Sequence, residues 1–273
     1  MRPTLPAKAT RVAALLVLLA VVVMWGSSRQ AARRVRTGWE RPVTVAVLVL
    51  GEATPAAMAR LRGALDDLAL RLASERATWA PGAAGETFVV ELVGPLHPGR
   101  LPPIDPPGPG PVDRALHALD LWRGARAAHA AAPGFDPRAW DVRVYLLAAA
   151  PEEDAPRFAE GIGELGGELG VVRARFDEQE ATLAATASFH EVFHCLGASD
   201  KYDPSGHAVL PGGLVEPDLS PVFPQRLAEL MVGEVPLGPG RGRLPHSVAE
   251  LGVGPVTAAE IGWLPALPAP RPR

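Results

Sequence analysis

The sequence predicts an α/β fold with a mostly parallel sheet, on two observations. Strand-type and helix-type segments alternate β-α-β-α-β through the first half of the chain, the order that parallel strands joined by crossover helices produce. Apolar residues make up 48% of the chain and charged residues 21%, a balance that lets such a sheet be buried. The 273 residues suit one domain of about 230 residues behind an N-terminal segment.

That segment is residues 1–36. Its apolar run from Val12 to Gly26 follows Arg2, Lys8 and Arg11 and precedes Arg29, Arg33, Arg34 and Arg36. Such a run matches a signal peptide's hydrophobic region or a short membrane anchor. Gly26 and Ser28 make a poor cleavage site and Trp25 suits a membrane interface, so the expectation is a retained transmembrane helix with an extracytoplasmic domain, or else a secreted protein.

The folded elements follow in order. Val43 to Leu50 reads as a buried strand, and Thr54 with Pro55 opens a helix striped by Met58, Leu61, Leu65, Leu68 and Leu72. Phe88 to Val93 is a second strand. Gly94 to Pro111 is too rich in proline for regular structure. Asp113 is expected to cap a helix reaching about Ala131, and Val142 to Leu147 is the third strand. Gly170 to Phe176 is a further short strand. Beyond residue 200, Pro211, Pro217, Pro221, Pro224, Pro236 and Pro239 exclude long helices. Thr257 and Glu260 have capping-box spacing for a short helix over Ala258 to Trp263, and residues 266–273 read as an extended tail.

The densest chemical signal is His190-Glu191-Val192-Phe193-His194-Cys195-Leu196-Gly197-Ala198-Ser199-Asp200. Histidines four apart on a helix stack one turn above each other and can both reach one Zn²⁺, with the adjacent glutamate placed as a base. Phe189, Val192, Phe193 and Leu196 recur at helical spacing, so one side of this helix is core and the histidine side can face a cleft. A random His-Glu-x-x-His arises in on the order of one in a hundred chains of this composition. Gly197 can end the helix in the left-handed conformation and return the chain toward the metal, which brings Asp200 into range as third ligand.

This run resembles the metzincin zinc peptidases, whose signature is His-Glu-x-x-His-x-x-Gly-x-x-His followed by a methionine turn. His190, Glu191, His194 and Gly197 match it position by position. Asp200 stands where most metzincins carry a third histidine and is similar to the snapalysin type; a carboxylate oxygen is an acceptable zinc ligand. The resemblance implies an upper subdomain, residues 37–197, whose mostly parallel twisted sheet has an antiparallel edge strand that holds extended peptide, and a lower irregular subdomain, residues 198–265. It implies that Gly170 to Phe176 is that edge strand, although an interior strand would read the same way. It also implies that Met231 supplies the methionine turn, although a lone methionine between leucine and valine is more often plain core. Tyr202 is a possible oxyanion donor or fifth ligand.

The activity implied is hydrolysis of peptide bonds by zinc-activated water, with His190, His194 and Asp200 holding Zn²⁺, Glu191 as general base, and a peptide or protein as substrate. A noncatalytic zinc-stabilised module binding a peptide or envelope partner is the alternative. Other third ligands to weigh are Glu216, Glu229, His207 and His246, all in or near proline-rich loops, while Asp203 suits a turn with Pro204. The net charge of −3 argues against nucleic acid as a partner. The single cysteine, Cys195, excludes an intrachain disulfide and reads as a small buried hydrophobe.

Overall fold

The computed structural model describes residues 30–83, 85–149 and 159–264, together with 12, 15, 16, 26 and 27. Its centre is a five-stranded sheet in the order β2-β1-β3-β5-β4. The strands are β1 (Val43–Leu50), β2 (Phe88–Leu96), β3 (Val142–Ala149), β4 (Ala159–Gly163) and β5 (Leu169–Arg175). All neighbours pair in parallel except β4, which runs antiparallel to β5 along one edge. The α/β class with a mostly parallel sheet is therefore as the alternation of segments predicts.

Helices cover both faces, and the two-residue period of β1 shows why. Val43, Val45, Val47 and Val49 point into one core with α1 (Pro55–Trp79) and α3 (Ala181–Leu196). Ala46, Leu48 and Leu50 point into the other with α2 (Pro111–Ala130). Helix α1 starts where Thr54 accepts from the Ala57 backbone N–H at 3.1 Å, and it buries Leu61, Leu65, Leu68 and Leu72 at helical spacing.

The C-terminal portion adds two short pairings, β6 (Ala228–Glu229) with β9 (Leu251–Gly252) and β7 (Val235–Gly238) with β8 (Arg241–Arg243), followed by α4 (Pro255–Glu260). Aromatic rings bind this portion to the sheet. Phe88 packs edge-on against Trp39 and Phe189, and Phe193 against Trp263, at centroid distances of 5.2 to 6.0 Å.

Several expectations are corrected. Among the described residues no helix is long and apolar enough to cross a membrane, so the transmembrane and membrane-anchor expectation for Val12 to Gly26 is not upheld. Most of that run lies outside the described residues, as does the whole of the 266–273 tail. Arg36, read as part of a basic flank, is instead buried in the folded body, donating to the carbonyls of Gly166 at 3.2 Å and Gly167 at 2.7 Å. The strand read at Gly170 to Phe176 is interior, between β3 and β4; the edge belongs to β4. Asp113 is not the cap of α2 but its third residue, reaching back to the Gly110 N–H at 3.1 Å. Thr257 and Glu260 form no capping box, because Gly254 and Pro255 open α4 and both side chains bond elsewhere.

Candidate metal centre

Helix α3 carries the histidine motif, and its end is built by Gly197. That residue adopts φ 108°, so its N–H and the N–H of Ala198 both return to the Phe193 carbonyl at 2.9 Å. This left-handed ending satisfies the last helical carbonyls and swings the chain back across the helix. The Ala198 carbonyl thereby lies 2.8 Å from His194 Nδ1. His190 Nδ1 lies 3.1 Å from the carbonyl of Leu230, forty residues on.

A carbonyl can only accept, so each Nδ1 is the protonated nitrogen and each neutral ring turns a lone pair outward at Nε2. Both Nε2 atoms face one atom, Asp200 Oδ1, at 3.0 Å from His190 and 3.2 Å from His194. Three acceptors cannot share that space unaided: protons on the imidazoles or a cation must lie among them. With metal–ligand bonds near 2.0 Å, adjacent ligand atoms of a tetrahedral site stand about 3.3 Å apart. The hydrogen bond from His190, then that from His194, holds the Asp200 carboxyl well below the usual carboxylate range. Burial disfavours the His194 imidazolium, but the Asp200 hydrogen bond, the Glu191 charge and the Ala198 carbonyl outweigh burial and raise its pKa.

Glu191 lies beside this group, 3% exposed, with Oε2 buried and without a hydrogen-bond partner. Burial pushes its pKa up against the pull of His190 and His194. The carboxylate fits only because the sheet above it is bare. A Cβ at Gly163 would stand 2.5 Å from Glu191 Oε2, and one at Gly170 would stand 2.7 Å from Glu191 Cβ. Gly163 and Gly170 are partners across β4 and β5.

Met231 sits in a turn directly after Leu230. Its side chain is in the core, and its carbonyl accepts from the Lys201 N–H at 3.1 Å, beside Asp200. The ring of Tyr202 lies 6.2 Å from that of His190. Burial first, and then the Asp200 charge, push the Tyr202 phenol up to about 12.

The other weighed ligands go elsewhere. Glu216 pairs with Arg226, His207 with Glu234 at 3.2 Å, and the His246 N–H bonds Glu250. The Asp203 carboxylate closes its own turn, accepting from the Ser205 and His207 N–H groups. Glu229 is fully buried and accepts from Thr257 Oγ1 at 2.7 Å and from the Gly254 N–H at 2.5 Å. Cys195 is buried, and burial raises its thiol pKa, so it behaves as core.

Two residues that matter here carried no ligand signal in the sequence, Lys201 and Glu260. Lys201 Nζ donates to Glu260 Oε2 at 2.7 Å, and the Ser199 N–H and hydroxyl also donate to the Glu260 carboxylate, at 3.0 and 2.9 Å. The sequence pointed elsewhere, because the Thr257–Glu260 spacing reads as a capping box and puts Glu260 in the first turn of its helix, where an acid is favoured.

Comparison of the chain with protein-family models, with characterised proteins and with solved structures gave no match. The site is thus defined by its own geometry: His190, Glu191 and His194 offer ligand atoms all within 4.8 Å of one another, a group that could hold a metal ion.

Proposed function

We propose that this protein is a zinc-dependent metallopeptidase of metzincin type, with His190, His194 and Asp200 as the metal ligands and Glu191 as general base and acid. The observation that carries the reading is the convergence of His190 Nε2 and His194 Nε2 on Asp200 Oδ1, with both Nδ1 atoms tied to carbonyls. The donor set fits zinc: two imidazoles and one carboxylate leave a fourth position open. A buried carboxylate oxygen with no partner stands next to them.

When bound, Zn²⁺ supplies Lewis acidity, which lowers the pKa of water toward about 7 and polarises an amide carbonyl. Glu191 takes a proton from the attacking water at its unpartnered Oε2 and returns it to the departing amine, and its burial, which raises its pKa, favours holding that proton in between. Tyr202, with its phenol protonated up to about 12, donates its O–H to the developing oxyanion. The peptide assignment draws on β4, an edge strand of the described sheet beside Glu191, where an extended chain can add by main-chain pairing.

The test is metal content and peptide cleavage on the same samples of wild type, Asp200→Ala and Glu191→Gln. Stoichiometric zinc with cleavage in the wild type, weakened zinc in Asp200→Ala and retained zinc without cleavage in Glu191→Gln support the reading. Zinc-free wild type overturns it. Zinc without cleavage of any peptide favours the noncatalytic binding module.

A further inference from the structure

Asp200 is the outlier of the ligand set. The histidines are fixed by a helix and are 15% and 13% exposed, whereas the Asp200 side chain is 46% exposed and sits in a loop. An aspartate side chain is also short, so the loop must be drawn close to the helix and kept there. Burial of Asp200 itself does not do this.

The residues on either side of it do. Ser199 gives its N–H and its hydroxyl to the two oxygens of Glu260, at 3.0 and 2.9 Å. Lys201, 7% exposed at its side chain, gives Nζ to Glu260 Oε2 at 2.7 Å, to the Ser199 carbonyl at 2.7 Å and to Ser199 Oγ at 2.8 Å. One carboxylate therefore grips the loop immediately before and immediately after the ligand. The Lys201 backbone is held as well, its N–H by the Met231 carbonyl at 3.1 Å and its carbonyl by the Val209 N–H at 2.8 Å. Glu260 does nothing for its own helix, because a negative charge on the last residue of α4 opposes the helix dipole. Its position is explained by the loop it holds.

We propose that Glu260 is the positioning residue for the third metal ligand: with Lys201 and Ser199 it forms a clamp that presents Asp200 Oδ1 to His190 and His194. The inference rests on the metal site proposed above. Loss of the clamp frees Asp200 to swing away, and metal affinity falls while the two histidines remain in place.

The experiment is zinc affinity by chelator competition on the full chain, with the visible spectrum of the Co²⁺-loaded protein as second readout. The variants are Glu260→Ala, Glu260→Gln, Asp200→Ala and the double variant Asp200→Ala with Glu260→Ala. Glu260→Ala is expected to weaken zinc by about 10- to 100-fold, the usual cost of removing a group that orients a ligand. Glu260→Gln, which keeps one acceptor oxygen for the Ser199 N–H and loses the charge, is expected at the weak end of that range, with a Co²⁺ spectrum closer to wild type. In the Asp200→Ala background the same change is expected to cost nothing further, because a residue acting through Asp200 has nothing left to position. Equal losses in both backgrounds identify a general structural role and overturn the proposal, as does unchanged affinity in Glu260→Gln and Glu260→Ala. If Glu260→Ala does not fold, Glu260→Gln alone carries the comparison between backgrounds. A wild type that binds no zinc fails the metal reading itself, whereas a wild type that binds zinc while Glu260 variants match it fails only the clamp.

Discussion

Gly161 of β4 faces Glu191 of α3 so closely that a Cβ on it would overlap Oε1 and stand 2.7 Å from Cδ. A strand without side chains at this point is what allows a carboxylate to be buried between helix and sheet, next to the histidines. Gly161→Ala is therefore expected to push the Glu191 carboxylate aside while leaving both histidines where they are. A displacement of about 1 Å costs on the order of 100-fold in turnover. Steady-state peptide cleavage beside zinc content checks this; full activity in Gly161→Ala would separate Glu191 from the chemistry.

Glu191→Gln keeps the size of the side chain and removes its capacity to take a proton. We expect kcat to fall by about 10²- to 10⁴-fold, the range for losing a general base, with zinc affinity changed far less. Matched cleavage and chelator-competition measurements distinguish this from a structural glutamate, whose loss would lower both.

Tyr202→Phe removes only a hydroxyl from a ring 6.2 Å from His190. An oxyanion donor lost in this way costs about 10²- to 10³-fold in kcat, with KM little changed. A variant with wild-type kcat would make Tyr202 a packing residue.

Glu229 gives a pH signature. Full burial pushes its carboxyl from an ordinary value near 4.5 up to about 7, against the bonds from Thr257, Gly254 and Met231 that favour the charge. Between those values the folded chain keeps a proton that the unfolded chain has released. Stability consequently falls as pH rises through that window, and is greatest on this account below it. Urea unfolding followed across the window should show that decline, and Glu229→Gln should flatten it. A slope unchanged in Glu229→Gln would assign the pH dependence to another group.

The parts of the fold that could be read in advance are those fixed by local pattern. Val43–Leu50 is a strand over the predicted residues because an unbroken apolar run admits little else, and Thr54 with Pro55 marks the start of α1. The histidine helix and its ending at Gly197 were legible for the same reason. What was missed depends on partners far along the chain. β4, Ala-Glu-Gly-Ile-Gly, carries no strand signal, because its glycines answer to Glu191 rather than to β propensity. Glu260 looked like half of a capping box, since spacing alone cannot tell a carboxylate that caps its own helix from one that reaches Ser199 and Lys201. Glu229 looked like a loop acid, and only the tertiary fold reveals that it is buried against the start of α4.

The two consecutive carbonyls of Leu230 and Met231 have a consequence for how the protein matures. One fixes the His190 ring and the other anchors the residue after Asp200, so the motif helix emerges from synthesis before the groups that orient its ligands. A nascent chain halted before residue 230 already displays both histidines, the glutamate and the aspartate, but lacks the geometry to use them. The orientation of the His190 ring and of the loop after Asp200 thus depends on chain made after the motif helix.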